Sequence, residues 1–305
     1  MGEDGQGPTF VLGEGFPNLP NDETLGRGMA DRSLVVLIDF FASLPEGFIS
    51  DIISLTSPVD AARLSVISKG FKAAAESDSV WTKFLPLDLN GILLRSRSPV
   101  VYSNKKELYS ALCNSPILLD DGTKLSFSLD KRTGKKCFMV AARELDITWG
   151  NKQFYWELKS HPNSRFSEVA NLRSVCWLDI RAVIATNMLS ATTDYAAYLV
   201  FRLSDTAYGL ESAKSLVRFV SQESDEEAEN RANWVNLFGG EPSGGSQTSN
   251  ELPRERSDGW MEVEMGSFYN DRGDDGDVEA RLIEIWDLNW KSGLIVEGIE
   301  FRPKS

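Results

Sequence analysis

Two tryptophans seven positions apart, Trp149 and Trp156, stand in "DITWGNKQFYWELK" with Phe154 and Tyr155 beside them. Aromatic surface on this scale either fills a core or meets a flat ligand. A sugar ring is such a ligand, with C–H bonds on one face and hydroxyls around the edge. Stacking it on an aromatic plate is worth on the order of 1 kcal/mol per ring, and a few carboxylate or amide acceptors must complete the site. On one straight strand the odd spacing puts the two indoles on opposite faces, but Gly150-Asn151 can bend the chain and bring them together. Glu284, in "DVEARLIEIWD", keeps phase with Val278, Ala280 and Leu282. A carboxylate on an apolar strand face is costly unless paired, so it is either hydrogen-bonded structure or a ligand group.

Other chemistries find less support. A pair of carboxylates invites a glycosidase reading, but 45 Asp and Glu residues make chance pairs common. The single histidine, His161, lies in the loop-like "SHPNS" without the context of a Ser-His-Asp triad or a zinc site. "GGEPSGGS" has the glycines of a phosphate loop but lacks its Gly-Lys-Ser/Thr ending. No catalytic residue, metal ligand or cofactor site is expected. The net charge of −13 argues against nucleic acid and anionic membranes as partners, and no basic cluster is larger than Lys135-Lys136. The apolar run Leu34 to Leu44 is broken by Asp39 and is about half the length of a membrane span. "MGEDGQGPTF" lacks the order of a signal peptide, and Gln6 occupies the position where myristoylation wants Ser or Thr. Three widely spaced cysteines, Cys113, Cys137 and Cys176, fit buried free thiols in a reducing compartment, not a disulfide frame or a zinc site. Cytoplasm or nucleus is the expected location.

The elements that must position these residues change character along the chain. Residues 1–32, rich in Gly, Asp and Glu, read as a disordered leader. Residues 40–87 are helical in period: Ile49, Ile52 and Ile53 share a face, "SPVDAARLSVISKGFKAAA" opens on Ser-Pro, and Asp78-Ser79 starts a third segment carrying Trp81 and Phe84. Three helices this short bury little and gain stability from a partner or a neighbouring domain. A bridge over 88–135 holds one more helix, "NKKELYSALCNS", and the turn "DDGTK". Residues 136–304 turn to period two, as in "GWMEVEMGSF", "YAAYLVFRLSD", "SVCWLDIRAVIA" and "GLIVEGIEFRP". The fold class is therefore α+β: a small helical module, then a mainly antiparallel, jelly-roll-like β-sandwich. A mobile surface loop is expected over about 221–258, containing the acidic run "SQESDEEAEN". Trp177 is assigned to the core, and Trp260, Trp286 and Trp290 to core or rim.

Two stretches resemble known families. "LPEGFISDIISLTSPVDAARLSVISKGFKAAAESDSVWTKFLP" resembles an F-box through Leu44-Pro45, Ile52-Ile53, Pro58, Ile67-Ser68-Lys69 with Phe71, and Trp81, in that order. "ARELDITW", "YW", "VCWLDI", "YAAYLVFRL", "RSDGWMEVEMGSF" and "DVEARLIEIWDLNWKSGLIVEGIEFRP" resemble the phloem protein two family, the Nictaba-like plant lectins. The combination is similar to the F-box plant lectins of the phloem protein two-B type.

The resemblance implies a substrate-recognition subunit of a Skp-cullin-F-box ubiquitin ligase, without catalysis of its own. The F-box would dock apolar helix faces on a Skp-type adaptor, with Leu44, Pro45, Ile49, Ile52, Val59, Leu64 and Trp81 as contacts or their support. The sandwich would bind GlcNAc-containing glycans of glycoprotein targets through Trp149 and Trp156, with Tyr155 able to take the role of Trp156. Asp277 and Glu284 match the family's acidic positions, although Asp277 stands where family members often carry Glu. The alternative is a lectin-fold domain that binds protein partners and has lost sugar binding.

Overall fold

The computed structural model describes residues 44–239 and 252–304. The expected leader, 1–32, lies outside the described residues. The chain divides into two units at Pro45–Glu46, and Leu44 and Pro45 are the only described residues of the first.

The amino-terminal module is built from α1 (Glu46–Ser54), α2 (Pro58–Leu64), α3 (Lys69–Glu76) and α4 (Asp78–Phe84). Each start after α1 is chemically marked. Ser57 accepts from the Asp60 N–H with Pro58 in the first turn, Ser68 caps Phe71, and Ser77 caps Ser79. The second helix expected from sequence is thus two, because Ser65 closes α2 and Ser68 opens α3. Ile49 and Ile53, one turn apart on α1, are buried with Ala61, Phe71, Ala74 and Trp81. The Trp81 indole donates to the Ala75 carbonyl at 2.7 Å and meets the Tyr109 ring at 5.1 Å.

The bridge is α5 (Leu89–Leu94), α6 (Lys105–Asn114) and the first strands. It fastens the helices to the sandwich. The Tyr109 hydroxyl donates to the carbonyls of Asp130 and Lys131, both at 3.1 Å, and Lys136 Nζ reaches Asp88 Oδ2 at 3.0 Å. At Gly134 (φ +71°) a Cβ would stand 2.6 Å from the Phe84 carbonyl oxygen, so only glycine lets this hairpin pass beneath α4.

The strands in chain order begin with β1 (Ile117–Leu118), β2 (Leu125–Leu129), β3 (Lys136–Ala141), β4 (Asp146–Ile147), β5 (Trp156–Lys159), β6 (Val169–Leu172) and β7 (Leu178–Ala185). They continue with β8 (Thr193–Tyr208), β9 (Ala213–Phe219), β10 (Asn233–Val235), β11 (Arg254–Glu255), β12 (Met261–Asn270), β13 (Asp277–Glu284) and β14 (Ser292–Pro303). One sheet runs β1-β2-β3-β14-β8-β12-β11, with β6 also on β14 and β5 on β6; the other runs β10-β9-β13-β7-β4. Every pairing is antiparallel, which is the sandwich expected. Leu199, Phe201, Val263, Met265, Val278, Ala280 and Leu282 are all buried, as period-two strands with covered faces require. Trp260 is core: fully buried, its indole donates to the Asn163 carbonyl at 2.9 Å.

Two ionic networks complete the packing. In the first sheet Arg256 and Arg302 each reach Glu262 and Glu300, and Arg165 lies 3.6 Å from Glu300. Burial pushes the Glu300 carboxyl up, but Arg256, Arg165 and Arg302 more than offset this and hold it down at about 2. In the second sheet Arg281 grips Asp179 through two bonds of 2.8 Å and reaches Glu229 at 2.6 Å. Arg181 and Arg218 hold Asp225. Residues 225 and 229 belong to α7 (Asp225–Asn230), whose amino end carries a capping box between Ser224 and Glu227. The described part of 221–258 is therefore not a single loop: it contains α7, β10 and β11.

Candidate functional site

The stretch between β4 and β5 makes the aromatic site. Ile147 ends β4, and the chain turns back through Gly150 N–H to the Ile147 carbonyl at 2.8 Å and Lys152 N–H to the Trp149 carbonyl at 2.9 Å. A Cβ at Gly150 would lie 3.0 Å from both Cβ and O of Ile147, so the close approach needs glycine. The residue that absorbs the bend is Trp149, at φ 60°. A bulky side chain in the left-handed region costs roughly 1–2 kcal/mol, and such strain gathers where a side chain must be aimed.

Trp149 is 36% exposed; its ring centroid is 5.0 Å from that of Tyr155 and 6.4 Å from that of Trp177. Trp156, 3% exposed, forms an inner wall of the same cleft, a space of about 590 Å³. Leu145, Ile147, Leu158 and Ala170 add apolar lining. Arg143, Asp146, Thr148 and Asn151 supply polar groups. Arg143 is engaged with Glu168, whereas the side chains of Asp146, Thr148 and Asn151 make no hydrogen bond among the described residues. The bend at Gly150-Asn151 does bring both indoles to one cleft, but as plate and wall rather than as two open plates.

The two sequence-nominated carboxylates stand elsewhere. Asp277 is exposed and begins β13 opposite Ala185; Glu284 ends the same strand opposite Leu178. Seven steps of strand separate them by about 23 Å and put them on opposite faces. Glu284 is buried and committed: Oε1 accepts from the N–H groups of Trp286 (3.2 Å) and Asp287 (2.8 Å), and the carboxylate pairs with buried Lys291. It is the hydrogen-bonded structural group of the two possibilities. Asp146, Thr148 and Asn151 line the cleft without having been nominated from sequence, although all three stand within three residues of Trp149 in "DITWGN". Trp177 is a further correction, since it is 43% exposed and touches Trp149 rather than filling the core.

On the helices, Ile49 and Trp81 are buried support, while Val59, Leu64 and Leu44 are half-buried and Pro45 and Ile52 exposed. Phe48 (63% exposed) and Ile52 on α1 and Leu55 (87%) in the turn that follows it fall at i, i+4 and i+7 and form an outward apolar stripe. Val66 and Ile67, between α2 and α3, are exposed as well. Ile52 thus belongs to a face beside that of Ile49 and Ile53, because three residues turn a helix by less than a full revolution.

A helical module with an outward apolar stripe, joined to an antiparallel sandwich with an aromatic-walled cleft, is the class of two-part protein that the fold defines. A family model described as Phloem protein 2 matches residues 135–303. F-box protein At2g02240 of Arabidopsis thaliana is 44% identical over 267 residues, covering 86% of this chain and 80% of that protein. F-box protein PP2-B10 of the same plant is 42% identical over 267 residues, covering 86% and 94%. The chain belongs to the phloem protein 2 family, alongside F-box proteins of the PP2-B type. A family 35 carbohydrate binding module from Clostridium thermocellum overlays with a TM-score of 0.32 at 10% identity, covering 55% of this chain and 98% of that one. This overlap is too distant to bear on function.

Proposed function

We propose that this chain is a non-catalytic substrate-recognition subunit of a Skp-cullin-F-box ubiquitin ligase of the cytoplasm or nucleus or both, whose sandwich binds GlcNAc-containing glycans on target glycoproteins. The observation that carries the glycan half is Trp149: a tryptophan held in a left-handed backbone conformation, with its ring at the surface of a cleft that also offers Asp146, Thr148 and Asn151. A core residue has no need of such strain. Tyr155 beside it and Trp156 behind it shape the plate and its pocket. The adaptor half is supported by the exposed Phe48, Ile52 and Leu55 stripe, the kind of surface that helix-in-groove recognition uses. Binding target and ligase through one chain raises the local concentration of target near the enzyme.

One set of facts favours the second reading, a sandwich that binds protein partners. Trp156 is nearly sealed, and neither Asp277 nor Glu284 faces the cleft. A glycan array with the wild-type chain and Trp149→Ala separates the two. Binding to GlcNAc-containing glycans that is lost in the variant supports the glycan reading. No binding to any glycan by the wild type overturns it in favour of protein partners.

A further inference from the structure

β9 and β10 put two polar side chains where a sandwich is ordinarily apolar. β9 turns Ala213, Ser215 and Val217 towards the other sheet, and Ser215 lies opposite Leu282, a buried core residue of β13. Asn233, at the start of β10, is the cross-strand partner of Ser215, so both side chains project from one face. Ser215 is 1% exposed, and its Oγ has no hydrogen-bond partner among the described residues. The Asn233 side chain makes no hydrogen bond among them either. A buried hydroxyl left unpaired carries a desolvation penalty that nothing offsets, so packing alone favours an apolar residue at position 215. The sheets also part here. β12 is bulged between Glu264 and Gly266, and a Cβ at Gly266 would stand 3.1 Å from Val217 Cγ2. Beside this close approach opens a cavity of about 250 Å³, the space of roughly eight waters, which Ser215 and Asn233 line together with Met265 and Ser267. The half-exposed side chains of Arg231 and Lys304 form its rim.

The charges around the cavity are already spent. Lys304 Nζ lies 2.7 Å from Glu264 Oε1, and Arg231 is held by Glu223 while donating to the Val217 carbonyl at 2.7 Å. An anion would have to displace a carboxylate here, and a cation would have to displace an ammonium or a guanidinium. What stays open is neutral: the Ser215 hydroxyl and the Asn233 amide side by side, and the Ser267 hydroxyl, which also makes no hydrogen bond among the described residues. A hydroxyl both donates and accepts, so adjacent hydroxyls satisfy a serine and an amide whichever way each is turned. Met265 and Val217 supply apolar wall for the C–H groups between them. We infer that this inter-sheet cavity is a binding site for a small neutral polyol, held through Ser215 and Asn233. The cavity shares no lining residue with the Trp149 cleft, so the inference stands apart from the reading of that cleft.

The test is a ligand-observed NMR titration of the full chain with glycerol, erythritol, xylitol and sorbitol, and with inorganic phosphate as the charged control. Wild type is compared with Ser215→Ala, Ser215→Val, Asn233→Ala and Trp149→Ala. The longer polyols should bind more tightly than glycerol or phosphate, and Trp149→Ala should leave their affinity unchanged. Ser215→Ala and Asn233→Ala should each weaken it about fivefold, the worth of one neutral hydrogen bond. Ser215→Val fills the cavity and should abolish binding. In the absence of ligand, Ser215→Ala should melt no lower than wild type, because it removes a hydroxyl that the fold leaves unpaired. No binding of any polyol by the wild type, binding lost in Trp149→Ala, or affinity unmoved by both Ser215 variants overturns the site. Tighter binding of phosphate than of any polyol overturns the neutral ligand. A clear fall in the melting midpoint of Ser215→Ala shows that the hydroxyl serves the fold, and overturns its assignment to a ligand.

Discussion

Replacing Glu284 with alanine separates a ligand carboxylate from a structural one. The side chain is buried against Lys291 and accepts two loop N–H groups. Its removal leaves a buried ammonium without its counter-charge, a change that costs about 3–5 kcal/mol when nothing else compensates. Three carbonyls still receive Lys291 Nζ, which places the loss near the lower end, about 3 kcal/mol. For a domain of this size that is a drop of about 6–12 °C in the melting midpoint. Glu284→Gln retains an acceptor for both N–H groups and should lose less. Glu284→Ala with Lys291→Met should lose less than the two single losses added, because neither charge is then stranded. Thermal melts of the full chain, followed by near-ultraviolet circular dichroism of the tryptophans, read all four variants. If Glu284→Ala melts within about 1 °C of wild type and abolishes glycan binding, the carboxylate is a ligand group and the structural assignment is wrong.

The Glu300 carboxyl is held at about 2, below its unfolded value, so its stabilisation is complete above about pH 4.3 and is lost as pH falls from there towards 2. Urea denaturation at pH 5, 4 and 3 should show an acid loss, on the order of 3 kcal/mol by pH 2, that Glu300→Gln lacks. Phe48→Asp with Leu55→Asp should abolish co-purification with a Skp-type adaptor while changing stability by no more than about 0.5 kcal/mol each. Ile49→Ala should instead cost about 2–5 kcal/mol of stability, since Ile49 is core. Gly134→Ala should destabilise by more than about 1 kcal/mol, because the new Cβ meets the Phe84 carbonyl and the backbone is left-handed; an unchanged melt would show that the helices are not clamped to the hairpin there.

Much of this architecture is legible in the sequence because local signals agree with the fold. Ser57-Pro58 starts a helix, Asn104 caps α6, and the period-two runs become β7, β8, β12, β13 and β14. The illegible parts depend on partners distant in sequence. The acidic run around Asp225 reads as solvated charge until Arg181, Arg218 and Arg281 from three strands meet it. The structural fate of Glu284 needs Lys291, a lysine whose burial follows only from the loop that folds around it. Which stripe of α1 faces outward cannot be read from a helix apolar on both sides. Asp277 is different: an odd separation from Glu284 on one strand already places the two on opposite faces, so parity alone excludes a shared site.

The clamp between the two modules bears on how a ligase subunit would work. A flexible tether sets effective concentration by its length, and the bound target samples many orientations. Here Asp88–Lys136, Tyr109 on the Asp130 and Lys131 carbonyls, and the hairpin at Gly134 tie the helices to the sheet that also carries β3 and β5. The direction from the α1 stripe to the Trp149 cleft is therefore a property of the folded chain. A glycan held at the cleft would fix the position of its protein relative to the adaptor, and selectivity among targets would come from where the glycan sits on each one. Glycan chemistry alone would then be an insufficient code, because two proteins carrying the same sugar at different sites would present different lysines to the ligase.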